Sequence, residues 1–168
     1  GMTYGKWIFR FLTILWMAAI FTFSARDAQE STEDSNRAGT ILCENLIPGF
    51  SRWPKERRQE LVERIDFPVR KAAHAFEYAV LGALIFMTVL LHAKTPKPGV
   101  KCVWTAWLAA VGYAATDELH QYFVPGRACR LFDVAVDGTG ALIGIAAVAL
   151  ISYKLAKFNK NLEIFWKI

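Results

Sequence analysis

The stretch TDELHQYFVPGRACRLFDVAVDGTG covers residues 116–140 and interrupts an otherwise apolar part of the chain. The residues before it, WTAWLAAVGYAA at 104–115, and those after it, ALIGIAAVALIS at 141–152, have the composition of membrane-spanning helices. The stretch itself carries a set of charged or titratable side chains: Asp117, Glu118, His120, Arg127, Arg130, Asp133 and Asp137. Because charge is costly within hydrocarbon, we predict a helical hairpin whose turn, at Pro125-Gly126, lies at a membrane surface.

The overall composition also indicates a membrane protein. The 168 residues are 54% hydrophobic, and the mean hydropathy is +0.25, which is more apolar than a soluble domain of this length. Four segments, at about 7–23, 72–93, 102–124 and 131–153, are each long enough to cross ~30 Å of hydrocarbon. A cleaved signal peptide is the alternative for the first segment, but no clean small-x-small site follows it. We predict a single domain over residues 1–168, an all-α membrane protein with a bundle of four transmembrane helices.

Basic residues in the short flanks predict the orientation of this bundle. They precede the first segment, separate the second from the third and follow the fourth, at Lys6, Arg10, Lys94, Lys97, Lys101, Lys154, Lys157 and Lys160. Four crossings put these three flanks on one side, and the positive-inside rule assigns that side to the cytoplasm. We therefore predict a multi-pass protein of the cell membrane, with both termini cytoplasmic and the polar stretch facing the extracytoplasmic side.

The long connection between the first two segments, residues 24–70, predicts one or two short amphipathic helices on the extracytoplasmic side. The first, STEDSNRAGTILCENLI at 31–47, has Ser31 or Thr32 as its candidate N-cap and an apolar side at Ile41, Leu42 and Leu46. The second, PKERRQELVERI at 54–65, starts with a proline suited to a first helical position. Two arrangements stay open: the helices cover the polar residues at the membrane surface, or they form a solvated hairpin.

Helical spacing predicts which polar side chains face each other. Residues three and four apart share a face of a helix. This gives one polar stripe on each of three segments: Arg70, His74 and Glu77 on the second, Asp117 and Gln121 on the third, and Asp133 and Asp137 followed by Gly140 and Gly144 on the fourth. Since a carboxylate that faces lipid is costly, the stripes are expected to turn inward and form one shallow extracytoplasmic pocket.

Two motifs resemble a known family. KAAHAFEYAVLG at 71–82, followed by TDELHQYFVPGRACRLFDVAVDGTGALIG at 116–144, is similar to the VanZ-like membrane proteins, whose namesake lowers sensitivity to the glycopeptide teicoplanin. The resemblance runs from Arg70 to about Ile151, and FTFSARDAQESTEDS at 21–35 resembles the family's serine-containing stretch. It implies a multi-spanning envelope protein with the family pattern at Lys71, His74, Glu77, Tyr78, Asp117, Glu118, Gln121, Arg127 and Asp133. At Asp137 many members carry Asn.

The first functional hypothesis is an enzyme that acts on a lipid-linked or phospholipid-like substrate in cell-wall or envelope metabolism, linked to glycopeptide resistance. The candidate catalytic residues are His74, Glu77, Asp117, Glu118 and Asp133, with His74 as general acid or base. The candidate substrate-binding residues are Lys71, Tyr78, Gln121, Arg127, Arg130 and Asp137, with the arginines suited to phosphate. The reaction class is then a hydrolase or transferase using acid/base chemistry.

Three alternatives stay open beside this hypothesis. The pocket of a non-catalytic protein would sequester or shield a cell-wall precursor or a lipoglycopeptide antibiotic. The charged residues of a purely structural site would staple the helix ends. We predict no cofactor, although a divalent metal on His74, His120, Asp117 and Asp133 suits those ligand types. The expected partner is membrane lipid and not nucleic acid, and the sequence leaves open whether Cys43 and Cys129 pair.

Overall fold

A computed structural model of the chain describes residues 2–93 and 99–158. In these two ranges the chain forms α-helices and a 3-10 turn but no strand, so the predicted all-α class is confirmed. The α-helices, in chain order, are α1 (Met2–Ser24), α2 (Ala28–Leu46), α3 (Lys55–Ala93), α4 (Val100–Gln121) and α5 (Leu131–Phe158), with a 3-10 turn at Phe50–Arg52 before α3. Lys94, Lys97 and Lys160, which contributed to the predicted orientation, lie outside the described ranges.

Three of the helices are long and apolar enough to cross a membrane. They are α1 over Tyr4–Ser24, α3 within Lys55–Ala93, and α5 over Leu131–Leu155, and they contain the first, second and fourth predicted spans. The third predicted span forms α4, which is not among them because Lys101, Asp117 and Glu118 make it less apolar. The chain is thus an all-helical membrane protein with three candidate spans, and α4 ends at Gln121, three residues before its predicted end.

The connection between the first two spans differs from its prediction. Its first helix exists as α2, but the predicted second helix, 54–65, is the beginning of α3, which runs without a break through Pro68 to Ala93. Contacts with α2 hold this part of α3: Ser35 donates a hydrogen bond to Asp66, and Arg70 donates one to Thr32 at 3.0 Å. The two segments therefore form an antiparallel hairpin in which only one arm is a separate short helix.

The contact of α2 with α3 uses small residues. Ile41, Leu42 and Leu46 are exposed, whereas small residues at Ser35, Gly39 and Cys43 are buried. Small side chains let two helices approach closely, and Gly39 lies against Ile65 and Val62 of α3. The N-cap is also earlier than predicted, since the carboxylate of Asp27 accepts a hydrogen bond from the backbone N–H of Glu30 at 2.9 Å.

Helices α3 and α5 approach each other closely at three glycines. A Cβ atom on Gly140 or Gly144 would overlap the backbone of Ala75 or Ala79, and one on Gly82 would overlap Ala141. Gly140 and Gly144, the small residues of the α5 stripe, therefore allow a neighbouring helix to approach closely, as small residues at this spacing predict. The packing holds α5 against the part of α3 that carries its polar residues, and so sets the positions of side chains one turn away.

Indole and phenol groups tie the remaining helices to this pair. Trp16 of α1 donates to the carbonyl of Glu77 at 2.8 Å, and Trp107 of α4 donates to the carbonyl of Gly138 at 2.9 Å. Tyr113 of α4 donates to the carbonyl of Met17 at 2.7 Å. These bonds use buried donors that would otherwise lack a partner, and they fix α1 and α4 near the polar residues of α3 and α5.

Candidate functional site

The predicted site residues all lie at one end of the helices, where α1 and α4 finish and α5 begins; we call it the polar end. They come from the middle of α3, the last turns of α4, the α4–α5 loop and the first turns of α5. The members are Lys71, His74, Glu77, Tyr78, Asp117, Glu118, Gln121, Arg127, Arg130, Asp133 and Asp137. The structure separates them into four groups with different surroundings.

The first group is an ion pair between α3 and α5. The ammonium Nζ of Lys71 lies 2.5 Å from Oδ1 of Asp133, and the two side chains are only 16% and 15% exposed. The same ammonium lies 5.5 Å from the centre of the Phe67 ring. Lys71 and Asp133 therefore satisfy each other, and neither lines the cavity described below.

The second group is a chain of hydrogen bonds centred on Arg127. Its guanidinium donates to Oγ of Ser31 at 2.8 Å and to Oε1 of Gln121 at 2.7 and 3.2 Å. Gln121 in turn donates to Oδ2 of Asp117 at 3.1 Å. Burial lowers the pKa of Arg127, but a guanidinium stays charged in proteins. The chain links the loop to α2 on one side and to a buried carboxylate on the other.

The third group surrounds the imidazole of His74. Its Nδ1 lies 3.9 Å from Oε2 of Glu77 and 4.0 Å from Oδ1 of Asp137. Both distances are longer than a hydrogen bond, so the ring faces two carboxylates without being bonded to either. Glu77 is on the same helix, one turn away, whereas Asp137 reaches His74 from α5.

The fourth group consists of buried oxygens that have no hydrogen-bond partner among residues 2–93 and 99–158. They are Oδ1 of Asp117, Oε1 of Glu118, both carboxylate oxygens of Asp137 and the hydroxyl of Tyr78. The second oxygen of Glu118 accepts from the backbone N–H of Arg130 at 2.9 Å, which holds the α4–α5 loop. Buried polar atoms are normally paired, so this cluster needs an explanation beyond packing.

A cavity of about 370 Å³ opens beside these groups, between α2 and α3, and we call it the α2–α3 pocket. Three of the predicted residues line it, namely His74, Glu77 and Arg127. The rest of its wall is polar on α2 and mixed on α3, from Phe23, Arg26, Ser31, Asp34, Ser35, Ala38, Val69, Arg70 and Ala73. The other eight predicted residues do not line it.

Arg26 and Arg70 were missed as site residues, although Arg70 lies on the same helical stripe as His74. Arg26 forms an ion pair with Asp34, and Arg70 lies 2.5 Å from Oδ2 of Asp66. The pairing of Arg26 with Asp34 depends on how α2 packs, whereas Asp66 and Arg70 are four residues apart on α3. The pocket thus has three guanidinium groups, all held by neighbouring side chains.

The alternative metal set does not come together. His120 stacks on Phe21, with ring centroids 4.3 Å apart, and Asp133 is bound to Lys71. Within residues 2–93 and 99–158, no three His, Cys, Asp or Glu side chains are grouped as metal ligands. Cys43 and Cys129 are free thiols, the former buried against Phe50 and the latter exposed.

Comparison with known proteins identifies a family. The family model VanZ-LLP1, described as VanZ/LLP1, matches residues 9–152, which is most of the chain and includes all eleven predicted site residues. Searches of curated proteins and of solved structures found no match. The predicted resemblance to VanZ-like proteins is therefore confirmed, and it extends further toward the N-terminus than the motifs indicated.

Proposed function

The chain belongs to the VanZ/LLP1 family, and on that premise we propose that its α2–α3 pocket binds the anionic headgroup of a lipid-linked or phospholipid-like amphiphile at the outer face of the cell membrane. The role would be in cell-wall or envelope metabolism and in glycopeptide resistance. The observation that carries this proposal is the pocket wall. Arg26, Arg70 and Arg127 supply cationic donors, and Phe23 and Val69 supply apolar surface.

The proposed topology has four spanning helices with both termini in the cytoplasm. Helix α4 has 22 residues, which is about 33 Å at 1.5 Å per residue and enough to cross the hydrocarbon. Arg10 near the start of α1 and His92 in the last turn of α3 are hydrogen-bonded, so these two ends share one side. Exposed Tyr122 and Phe123 at the opposite end suit the interfacial level of a membrane.

Cysteine labelling tests this sidedness. Cys129 is exposed in the α4–α5 loop, whereas Cys43 is buried and Cys102 begins α4 at the other end. We expect a membrane-impermeant maleimide to label the protein in intact cells, and Cys129→Ser to abolish that labelling. Labelling of Cys129 only after the cells are permeabilised would reverse the proposed orientation.

The size and polarity of the pocket favour a headgroup over a whole lipid. A volume of about 370 Å³ is near the lower end of ligand-sized pockets, and its charged groups lie on α2, α3 and the α4–α5 loop. A phosphate or pyrophosphate would replace the Ser31 hydroxyl as the partner of Arg127 and form stronger, charge-assisted hydrogen bonds. The attached chain would remain in the bilayer, which is where the partner is expected.

For an enzyme, the proposed chemistry is acid/base transfer by His74 with Glu77 beside it, in a hydrolase or transferase reaction. The alternative is a non-catalytic protein that sequesters a cell-wall precursor or a lipoglycopeptide antibiotic. The hydrogen bonds of the serine hydroxyls favour the non-catalytic alternative, since Ser31 accepts from Arg127 and Ser35 donates to Asp66. In the described part of the chain neither serine is bonded to His74, so no activated nucleophile is assembled.

Binding of a short-chain isoprenyl phosphate to purified protein in detergent tests the proposal, with the isoprenyl alcohol of equal length as the uncharged control. We expect Arg127→Gln to weaken phosphate binding at least about tenfold, because one or more charge-assisted hydrogen bonds are lost. The matched control is Arg64→Gln, since Arg64 on α3 is exposed and paired only with exposed Glu60. Equal weakening by both variants, or equal binding of phosphate and alcohol, would contradict the proposal.

His74→Gln separates the two candidate functions in the same assay. In an enzyme the variant keeps binding but stops conversion of the bound lipid, which native mass spectrometry of co-purified lipid detects as accumulated substrate. In a binding protein the wild type and the variant carry the same lipid in the same amount, because no proton transfer is required.

A further inference from the structure

We propose that Asp137 is a positioning residue for His74: it holds the imidazole with Nδ1–H toward α5, so that Nε2 is left for a ligand in the α2–α3 pocket. This inference rests on the proposed function, in which His74 meets the ligand. It changes the role predicted for Asp137 from its sequence, which was substrate binding.

The first step is that Asp137 has no access to a ligand. Its side chain is 0% exposed, and it is absent from the wall of the pocket. Glu77, in contrast, lines the pocket and is the carboxylate that a ligand would meet. The two carboxylates around His74 therefore have different surroundings, and only Asp137 is free of any contact with the cavity.

The second step is that packing does not account for a carboxylate at this position. Both oxygens of Asp137 lack a hydrogen-bond partner in the part of the chain that the structure describes, although a buried carboxylate is strongly unfavourable unless it is paired or bonded. Nδ1 of His74 faces this carboxylate, at 4.0 Å from Oδ1. Hydrogen bonds of catalytic groups are often long without a ligand and shorten when one binds, so a small movement of the ring completes this bond.

The third step is that Asp137 cannot easily move away from His74. Gly140, one turn after Asp137, is in backbone contact with Ala75, the residue after His74. The close approach of α5 to α3 at this point fixes the distance between the two side chains. Trp16 holds the carbonyl of Glu77, but the carboxylate of Glu77 lines the pocket, where a ligand can reach it.

The fourth step concerns the two ring nitrogens. Nδ1 faces Glu77 and Asp137, while Lys71, Arg70 and Arg127 are the cationic groups around the ring, from α3 and the loop. Asp133 adds a further negative charge from α5, although Lys71 neutralises it. A ring whose Nδ1 side meets carboxylates carries its proton there, and the Nε2 lone pair is then the base available to the pocket.

The test measures which ring nitrogen of His74 carries the proton in the full-length protein. Nitrogen NMR of samples with isotope-labelled imidazole gives this tautomer, and the His74→Gln variant identifies the signals of His74. We expect the Nδ1–H form to be in at least about tenfold excess in the wild type, since hydrogen bonds to charged groups have that effect on an equilibrium. Asp137→Leu is expected to remove the excess while the thermal unfolding midpoint stays equal or rises, because an apolar side chain replaces a buried carboxyl group whose oxygens form no hydrogen bond within the described residues. Thr139→Leu, at an exposed position of α5, is the control and keeps the excess.

Two outcomes would overturn the inference: the absence of an Nδ1–H excess in the wild type, or an excess that persists in Asp137→Leu. A lower unfolding midpoint with an unchanged tautomer would show a packing role only. Should Asp137→Leu not fold, Asp137→Asn keeps the size without the charge and must reduce the excess at least about threefold. Isoprenyl phosphate binding, measured on the same wild-type sample, distinguishes the failure of this inference from the failure of the proposed function. If the wild type does not bind the phosphate, the proposed function is contradicted, whichever tautomer is found.

Discussion

Gly144→Leu is expected to lower the free energy of unfolding by about 3 kcal/mol, because overpacking at a rigid contact has that order of effect or more. A Cβ atom at Gly144 would overlap the carbonyl group of Ala79, which is backbone of α3 and cannot rotate away. The two helices would therefore have to separate along their whole contact. Thermal unfolding in detergent, followed by circular dichroism, measures the loss.

The matched control for this substitution is Gly112→Leu on α4. No atom lies within 4 Å of a Cβ built at Gly112, so a side chain there enters open space. The higher helix propensity of leucine is then expected to leave stability unchanged or to raise it by up to about 1 kcal/mol. If both variants lose stability equally, the close approach of α3 and α5 is not the cause.

Lys71→Met is expected to have the second large effect, a loss of about 3 kcal/mol of unfolding free energy. The pair between Lys71 and Asp133 is mostly buried, and removal of one partner leaves the other charge unpaired in a poorly solvated place. The double variant Lys71→Met/Asp133→Leu is expected to recover most of the loss, since neither charge then remains. Chemical or thermal unfolding of the four proteins in this cycle gives the interaction energy.

An exposed pair on the same helix gives the reference for this cycle. Arg64 and Glu60 lie 3.2 Å apart, but their side chains are 75% and 70% exposed. Water and salt screen such a pair, so Arg64→Gln is expected to change the unfolding free energy by less than about 0.5 kcal/mol. A double variant of Lys71 and Asp133 that is no more stable than Lys71→Met would mean that the charge left on Asp133 does not cause the loss.

These stability variants also bear on the structural reading of the charged residues. Glu118 holds the backbone of Arg130, and Lys71 is occupied by Asp133, so these residues have structural partners. His74 and Glu77 line the pocket, and the carboxylate of Asp137 forms no hydrogen bond within the described residues. The polar end therefore contains two kinds of residue. Some stabilise the helix ends, and the positions of the others are not explained by packing.

The pocket residues could be predicted only in part. His74, Glu77 and Arg127 follow from helical spacing and from a short loop, because these are local properties of the chain. Arg26 precedes α2, Ser31 lies on α2 and Arg70 lies on α3, and the three meet at the pocket because α2 packs on α3. The apolar residues of α2, Ile41, Leu42 and Leu46, are exposed and therefore did not indicate this packing.

The sequence by itself determined the helical class, the long apolar segments and the gathering of polar residues at one end, because composition and periodicity act within a few turns of one helix. The tertiary structure alone decided that residues 54–65 belong to α3, that the cavity lies between α2 and α3, and that Asp137 faces His74. These features depend on which helix faces pack together, and that choice is made by the free energy of contacts between residues far apart in the chain. The glycine contacts of α5 with Ala75 and Ala79 are the clearest case, since the spacing allowed a close approach but did not name the partner.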